Sequence, residues 1–135
     1  MTIFNSAVTK VYAGSYTCRN RNSAVNRPLS EHALANAIDI SGFVLVSGEQ
    51  IAVVETWHND DTSLPLPKPT KLSGETFRAQ RTSLSSDARE KAFLRFVQDK
   101  ACADFGTVLG PGADEAHKSH LHLDMKQRRQ ANFCQ

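Results

Sequence analysis

AIDISGFVLVS (37–47) and QIAVVETW (50–57) are two apolar runs separated by Ser47-Gly48-Glu49. Strand-length apolar runs on either side of a glycine-containing turn are the pattern of a β-hairpin, so a sheet is the expected centre of this chain. Asp39 stands between Ile38 and Ile40 in the first run. Side chains alternate along a strand, so packing the two isoleucines inward turns Asp39 away from the core.

C-terminal to the hairpin, residues 59–86 hold three of the five prolines (Pro65, Pro67, Pro69) and no apolar period, and they read as a long loop. Asp87, with Glu90 three residues on, reads as a helix start. Phe93, Phe96, Val97 and Ala101 follow at helical spacing up to Gly106, predicting one helix over 88–104. Two short runs, GTVLG (106–110) and HLHLDM (120–125), read as strands joined by the turn-forming PGADEAHKS (111–119). N-terminal to the hairpin, residues 1–29 carry scattered apolar positions and then CRNRNSAVNRP (18–28), predicting one short element followed by an irregular excursion.

The order of elements makes a single α+β domain over 1–135: a small, mostly antiparallel sheet with the helix on one face. A length of 135 residues, 40% of them hydrophobic, suits one such domain. Sixteen Lys+Arg against fourteen Asp+Glu is too balanced for a nucleic-acid binder, whose cations are usually in clear excess. No apolar run approaches the roughly 18 residues of a membrane span, and the first ten residues lack the basic-then-apolar pattern of a secretory signal. Cys18, Cys102 and Cys134 are too far apart for a CxxC motif; three single pairings are possible and spacing does not choose among them.

Three of the five histidines, at 117, 120 and 122, fall within six positions. Strand alternation sets His120, His122 and Asp124 on one face of HLHLDM, with Leu121, Leu123 and Met125 on the other. A second polar cluster places His32 seven residues before Asp39. Were 32–39 one extended strand, these two side chains would stand roughly 23 Å apart, from ~3.3 Å per residue; only a fold-back over 32–37 lets them share an ion. Two neutral imidazoles and a carboxylate form the open-site donor set of catalytic zinc, in which a coordinated water is acidified to a pKa of about 7. His117 reads as a turn or rim residue and His58 as a solvated strand end; Asp124, on the face of His122, reads either as a brace for an imidazole or, the more ordinary reading, as the salt-bridge partner of Arg128 or Arg129.

GSYTCR (14–19), SEHALANAIDISGF (30–43), KAFLRFVQDKACADFGTVLGPG (91–112) and HKSHLHLD (117–124) resemble, in that order, the bacterial extensin-like C-terminal domain family. That family is similar to a wider group of zinc peptidases that includes D-alanyl-D-alanine carboxypeptidases, lysostaphin-type endopeptidases and the hedgehog signalling domain. The resemblance implies a zinc cleft on the sheet face opposite the helix, with His32, Asp39 and His122 as metal ligands. It implies His120 as general base, and Arg19 as the group that stabilises an oxyanion or clasps a substrate carboxylate. The implied activity is hydrolysis of peptide bonds in peptidoglycan stems or crosslinks, D,D or L,D, in the periplasm or cell envelope. The other function the resemblance allows is a zinc-containing binding or assembly module without turnover. The chain departs from its relatives at Leu34, where Arg is common, and at Ser119, where an acid often precedes HxH.

Overall fold

The computed structural model describes residues 6–57, 86–129 and 131–135. Apart from Ser86, the loop expected at 59–86 lies outside them, as does His58. Strand β1 (Val8–Gly14) precedes a 3-10 turn (Arg21–Ser23), and the hairpin follows as β2 (Ala37–Leu45) and β3 (Gln50–Ala52). Helix α1 (Val53–Trp57) follows directly, and α2 (Ser86–Asp104) carries the chain to β4 (Thr107–Leu109). A second 3-10 turn (Glu115–His117), β5 (Leu121–Asp124) and β6 (Phe133–Cys134) complete the described elements. The architecture is mixed α+β, an open six-stranded sheet ordered β1-β2-β5-β4-β6 with β3 also on β2. All pairings are antiparallel except β4 with β6. No described helix is long and apolar enough to cross a membrane.

β2 is the spine. β1 pairs along one of its edges, and β5 and β3 share the other: Ala37 to Ile40 face β5, while Gly42 to Val44 face β3. This division explains why the second hairpin strand stops at Ala52 instead of running to Trp57. Ala52 is opposite Gly42, and two residues further along, the β2 edge at Ile40 is already occupied by Leu121. With no partner left, VVETW turns into helix despite its β-branched composition, a case of tertiary context overriding propensity. Thr56 on α1 then donates to the Glu90 carboxylate on α2 at 3.1 Å.

Between Gly42 and Ile40 the pairing with β1 shifts by one residue, leaving Ser41 as a bulge. A bulge resets which side chains face inward. It lets Ile40 before it and Phe43 and Leu45 after it enter the same core, although strict alternation would separate them. Asp39 stays on the opposite side from Ile38 and Ile40, as the sequence predicts.

The core joins those residues to Ile51, Val53, Val108, Leu121, Leu123 and the α2 residues Phe93 and Leu94, with Val97 and Ala101 packed against it. Leu94 is fully buried while Phe96 is 36% exposed. The inward stripe of α2 is therefore rotated from the expected one: Leu94 replaces Phe96. Cys102 on α2 is disulfide-bonded to Cys134 on β6, tying the C-terminal strand to the helix, and Cys18 is free and exposed. Gly106 is fixed by a close approach, since a Cβ there would lie 1.9 Å from the Lys126 carbonyl oxygen.

Candidate metal centre

The site begins with a fold-back at 30–36. Ser30 is buried, its carbonyl accepts from the Ala33 amide at 3.0 Å, and its hydroxyl accepts from the same amide at 3.3 Å. The Leu34 and Ala35 amides donate to Glu31 and His32 carbonyls, and the Asn36 amide returns to the Glu31 carbonyl at 2.8 Å. Ala35 closes this turn with a left-handed φ of 53°. Residues 32–37 thus coil instead of extending, and His32 comes back over the start of β2.

Antiparallel pairing then sets Asp39 directly opposite His122. His32 Nε2 lies 3.0 Å from Asp39 Oδ1 and 3.1 Å from His122 Nδ1, and His122 Nδ1 lies 2.9 Å from the same Asp39 oxygen. Among the described residues these three form one group with the composition and spacing of a metal site. A tetrahedral ion with bonds of ~2.0–2.1 Å separates its ligand atoms by roughly 3.3 Å, so occupancy requires the triangle to open by only a few tenths of an ångström.

The surroundings orient both imidazoles. His32 Nδ1–H donates to the Ser15 carbonyl at 2.5 Å, which leaves Nε2 as the lone-pair nitrogen facing the group. His122 Nε2 lies 3.2 Å from Asp124 Oδ2, so its Nδ1 is the inward nitrogen. Asp124 also accepts from the Lys126 amide at 3.0 Å and from the Thr107 hydroxyl. Arg128 donates to that hydroxyl at 2.7 Å. The salt bridge expected between Asp124 and Arg128 is replaced by this chain, with Thr107 between them. A carboxylate behind a ligating histidine raises its basicity and holds its plane.

Electrostatics follow from the packing. Burial raises the Asp39 pKa, but the hydrogen bond with His122 and the nearby His120, His32 and His122 bring it below the ordinary carboxylate value. Burial lowers that of His122, yet hydrogen bonds to Asp124 and Asp39, with the charges of both, raise it to about 9. Burial raises the Asp124 pKa, and its hydrogen bonds with His122, Thr107 and the Lys126 amide bring it below the usual value. Without a metal the group is thus an imidazolium between two carboxylates, and a cation competes with the His122 proton for the same lone pair.

His120 precedes β5, and its Nε2 is 3.4 Å from Asp39 Oδ1. Its pKa is lowered by burial, against the pull of Asp39, and further by the neighbouring histidines. Arg19 is half-buried and lines a cavity of about 330 Å³ together with His32 and His122. Asp39 and His120 do not line that cavity, whereas His117 does.

His117, expected at a turn or rim, is half-buried. Its ring packs edge-on at 5.4 Å from His120 and 5.3 Å from His122. Asp114 caps the second 3-10 turn through the Ala116 and His117 amides and holds His117 Nδ1 at 2.5 Å. The signal was present as Asp114 three residues before His117, an N-cap spacing. The Ser15 carbonyl left no such trace, because any residue type supplies a carbonyl.

No curated protein and no solved structure matches the chain. Two overlapping matches, over residues 1–79 and 70–135, place the strings quoted above in one family description. From end to end, the chain belongs to the family described as extensin-like protein C-terminus.

Proposed function

We propose that this domain is a zinc metallopeptidase that hydrolyses peptide bonds in bacterial peptidoglycan stems or crosslinks, acting in the periplasm or cell envelope. The observation that carries the reading is the convergence of His32 Nε2, Asp39 Oδ1 and His122 Nδ1, with both remote ring nitrogens braced. Neutral imidazoles with one carboxylate suit zinc, and a bound zinc supplies Lewis acidity and a water acidic enough to ionise near neutrality.

The chain's own groups supply the rest. Asp39, held ionised by its histidine neighbours, contributes the anionic ligand. His120, kept largely neutral at pH 7 by its lowered pKa, accepts a proton from the attacking water and passes it to the leaving amine. Arg19, permanently charged, faces the cavity and stabilises negative charge that develops on the carbonyl oxygen or on a substrate carboxylate. His117 packs edge-on against His120 and limits the movement of its ring.

Incubation of the zinc-supplemented protein with sacculi or muropeptides, followed by separation of products, tests this reading. New products that disappear in His120→Ala, while zinc stays bound, are the expected result. Zinc retention with no product across D,D and L,D substrates favours a binding or assembly module.

A further inference from the structure

The arginine-bearing loop 18–28 has no part in the ligand group, yet Arg19, Arg21 and Arg27 all line the cavity that opens beside His32 and His122. Its neck is tied by the Asn20–Leu29 bridge, by the Arg21 amide on the Pro28 carbonyl at 3.0 Å and by the Ser30 amide on the Arg19 carbonyl at 3.1 Å. Between these ties Asn22, Ser23 and Asn26 take left-handed φ values of 51°, 55° and 62°. Two of the three are asparagines, which enter that region readily, so these turns shape the loop at modest cost.

Five cationic and three carboxylate side chains line the cavity. Lys126 is paired with Glu31 at 3.6 Å, and Arg128 is held by the Gly106 carbonyl and Thr107. Asp124 is engaged by His122 and Asp114 by His117. Arg19, Arg21 and Arg27 have no carboxylate partner among the described residues. Three guanidinium groups that cannot lose their charge repel one another across a small space, and an anion entering it relieves that repulsion.

We propose that this loop is an anion clasp that selects peptides with at least two carboxylates close to the bond to be cut. This deepens the peptidase reading and rests on it for the identity of the cavity as the substrate site. Arg19, half-buried, is the inner contact, and the exposed Arg21 and Arg27 form the rim. A guanidinium fork matches a carboxylate through two parallel hydrogen bonds, so each arginine positions one acidic group as well as attracting it. The volume of about 330 Å³ sits at the small end of ligand sites, which admits a short acidic peptide segment and no folded chain.

The test uses the full chain as purified, with its metal content measured. A fluorescently labelled peptidoglycan stem tetrapeptide with free carboxylates and its fully amidated counterpart are titrated in the cold by anisotropy, and the same samples are chromatographed for cleavage. Amidation is expected to weaken binding about tenfold, the scale of one or two lost charge-assisted contacts. The double variant Arg21→Gln/Arg27→Gln should bind the free-carboxylate peptide only as well as the amidated one, with zinc content unchanged. Equal affinities for the two peptides, a double variant that binds like wild type, or no binding of either peptide overturns the clasp. So does inorganic phosphate displacing the peptide at lower concentration than the peptide's own dissociation constant, since that marks a phosphate site. Charge-dependent binding without cleavage keeps the clasp and removes the peptidase; cleavage indifferent to amidation does the reverse.

Discussion

Asp124 Oδ2 lies 3.2 Å from His122 Nε2, and this contact decides which nitrogen of His122 faces His32 and Asp39. The two residues are two positions apart on β5, so strand alternation puts both on the face away from Leu121 and Leu123. His122 is therefore braced from within its own strand, and Thr107 and Arg128 extend the brace across β4.

Asp124→Asn keeps the shape and removes the charge. It is expected to weaken zinc affinity by about 10- to 100-fold, the usual cost of losing a partner behind a ligating imidazole, with the fold retained. Competition against a chelator of known affinity measures this. Affinity equal to wild type would mean that the contact is incidental.

pH dependence follows from His122. Its pKa is about 9 in the metal-free fold against 6.5 for an unperturbed histidine. A pKa raised by folding contributes stability that is fully present below about 6.5 and is lost as pH rises through about 9. The lowered pKa values of Asp39 and Asp124 act oppositely, contributing stability above 3.8, the ordinary value of an aspartate, and losing it as pH falls through their folded values. Below about 6.5 the lowered pKa of His120 also costs stability, because the unfolded chain takes up that proton first, so thermal denaturation of the metal-free protein should show its highest midpoint near pH 6.5, with declines toward pH 9 and toward acid, as far as this cluster governs it. Zinc uptake runs the other way: it expels the His122 proton, so apparent affinity should rise with pH up to about 9.

Most of the strand pattern was legible because alternation is a local property. Asp39 between two isoleucines and His122 between two leucines announced their faces without any knowledge of partners. The short β3 was not legible. Its end is set by Leu121, a residue 69 positions beyond Ala52, occupying the β2 edge at Ile40. Nor was the choice of Leu94 over Phe96, since both fit a helical stripe and only the tertiary packing of α2 selects between them. Within the site, residue types that hold metals stood out, whereas the backbone brace from Ser15 and the turn that brings His117 inward depend on folding.

Backbone positions give two stability tests of opposite sign. Ala35 carries a left-handed φ of 53° in the turn that returns His32, and glycine adopts that conformation without a Cβ clash. Ala35→Gly is expected to stabilise by about 0.5–1 kcal/mol in denaturant titration. Gly106→Ala forces a Cβ to within 1.9 Å of a backbone oxygen and should abolish cooperative unfolding or severely lower the midpoint.

The Cys102–Cys134 bridge closes a loop with a sequence separation of 32 residues. Chain-entropy arguments assign such a loop about 3–4 kcal/mol. Cys102→Ala/Cys134→Ala should lose most of that on denaturation, and Cys18→Ser, at an exposed free thiol, should change stability by less than about 0.5 kcal/mol.

Metal content of the purified protein, determined by elemental analysis after exhaustive dialysis against zinc-containing and then metal-free buffer, tests the convergence of His32, Asp39 and His122 most directly. About one zinc per chain, lost in His32→Ala and in Asp39→Ala while both variants keep the wild-type far-ultraviolet circular dichroism, is the expected result. A wild-type protein that emerges without zinc, or variants that hold it as well as wild type, would contradict the metal centre.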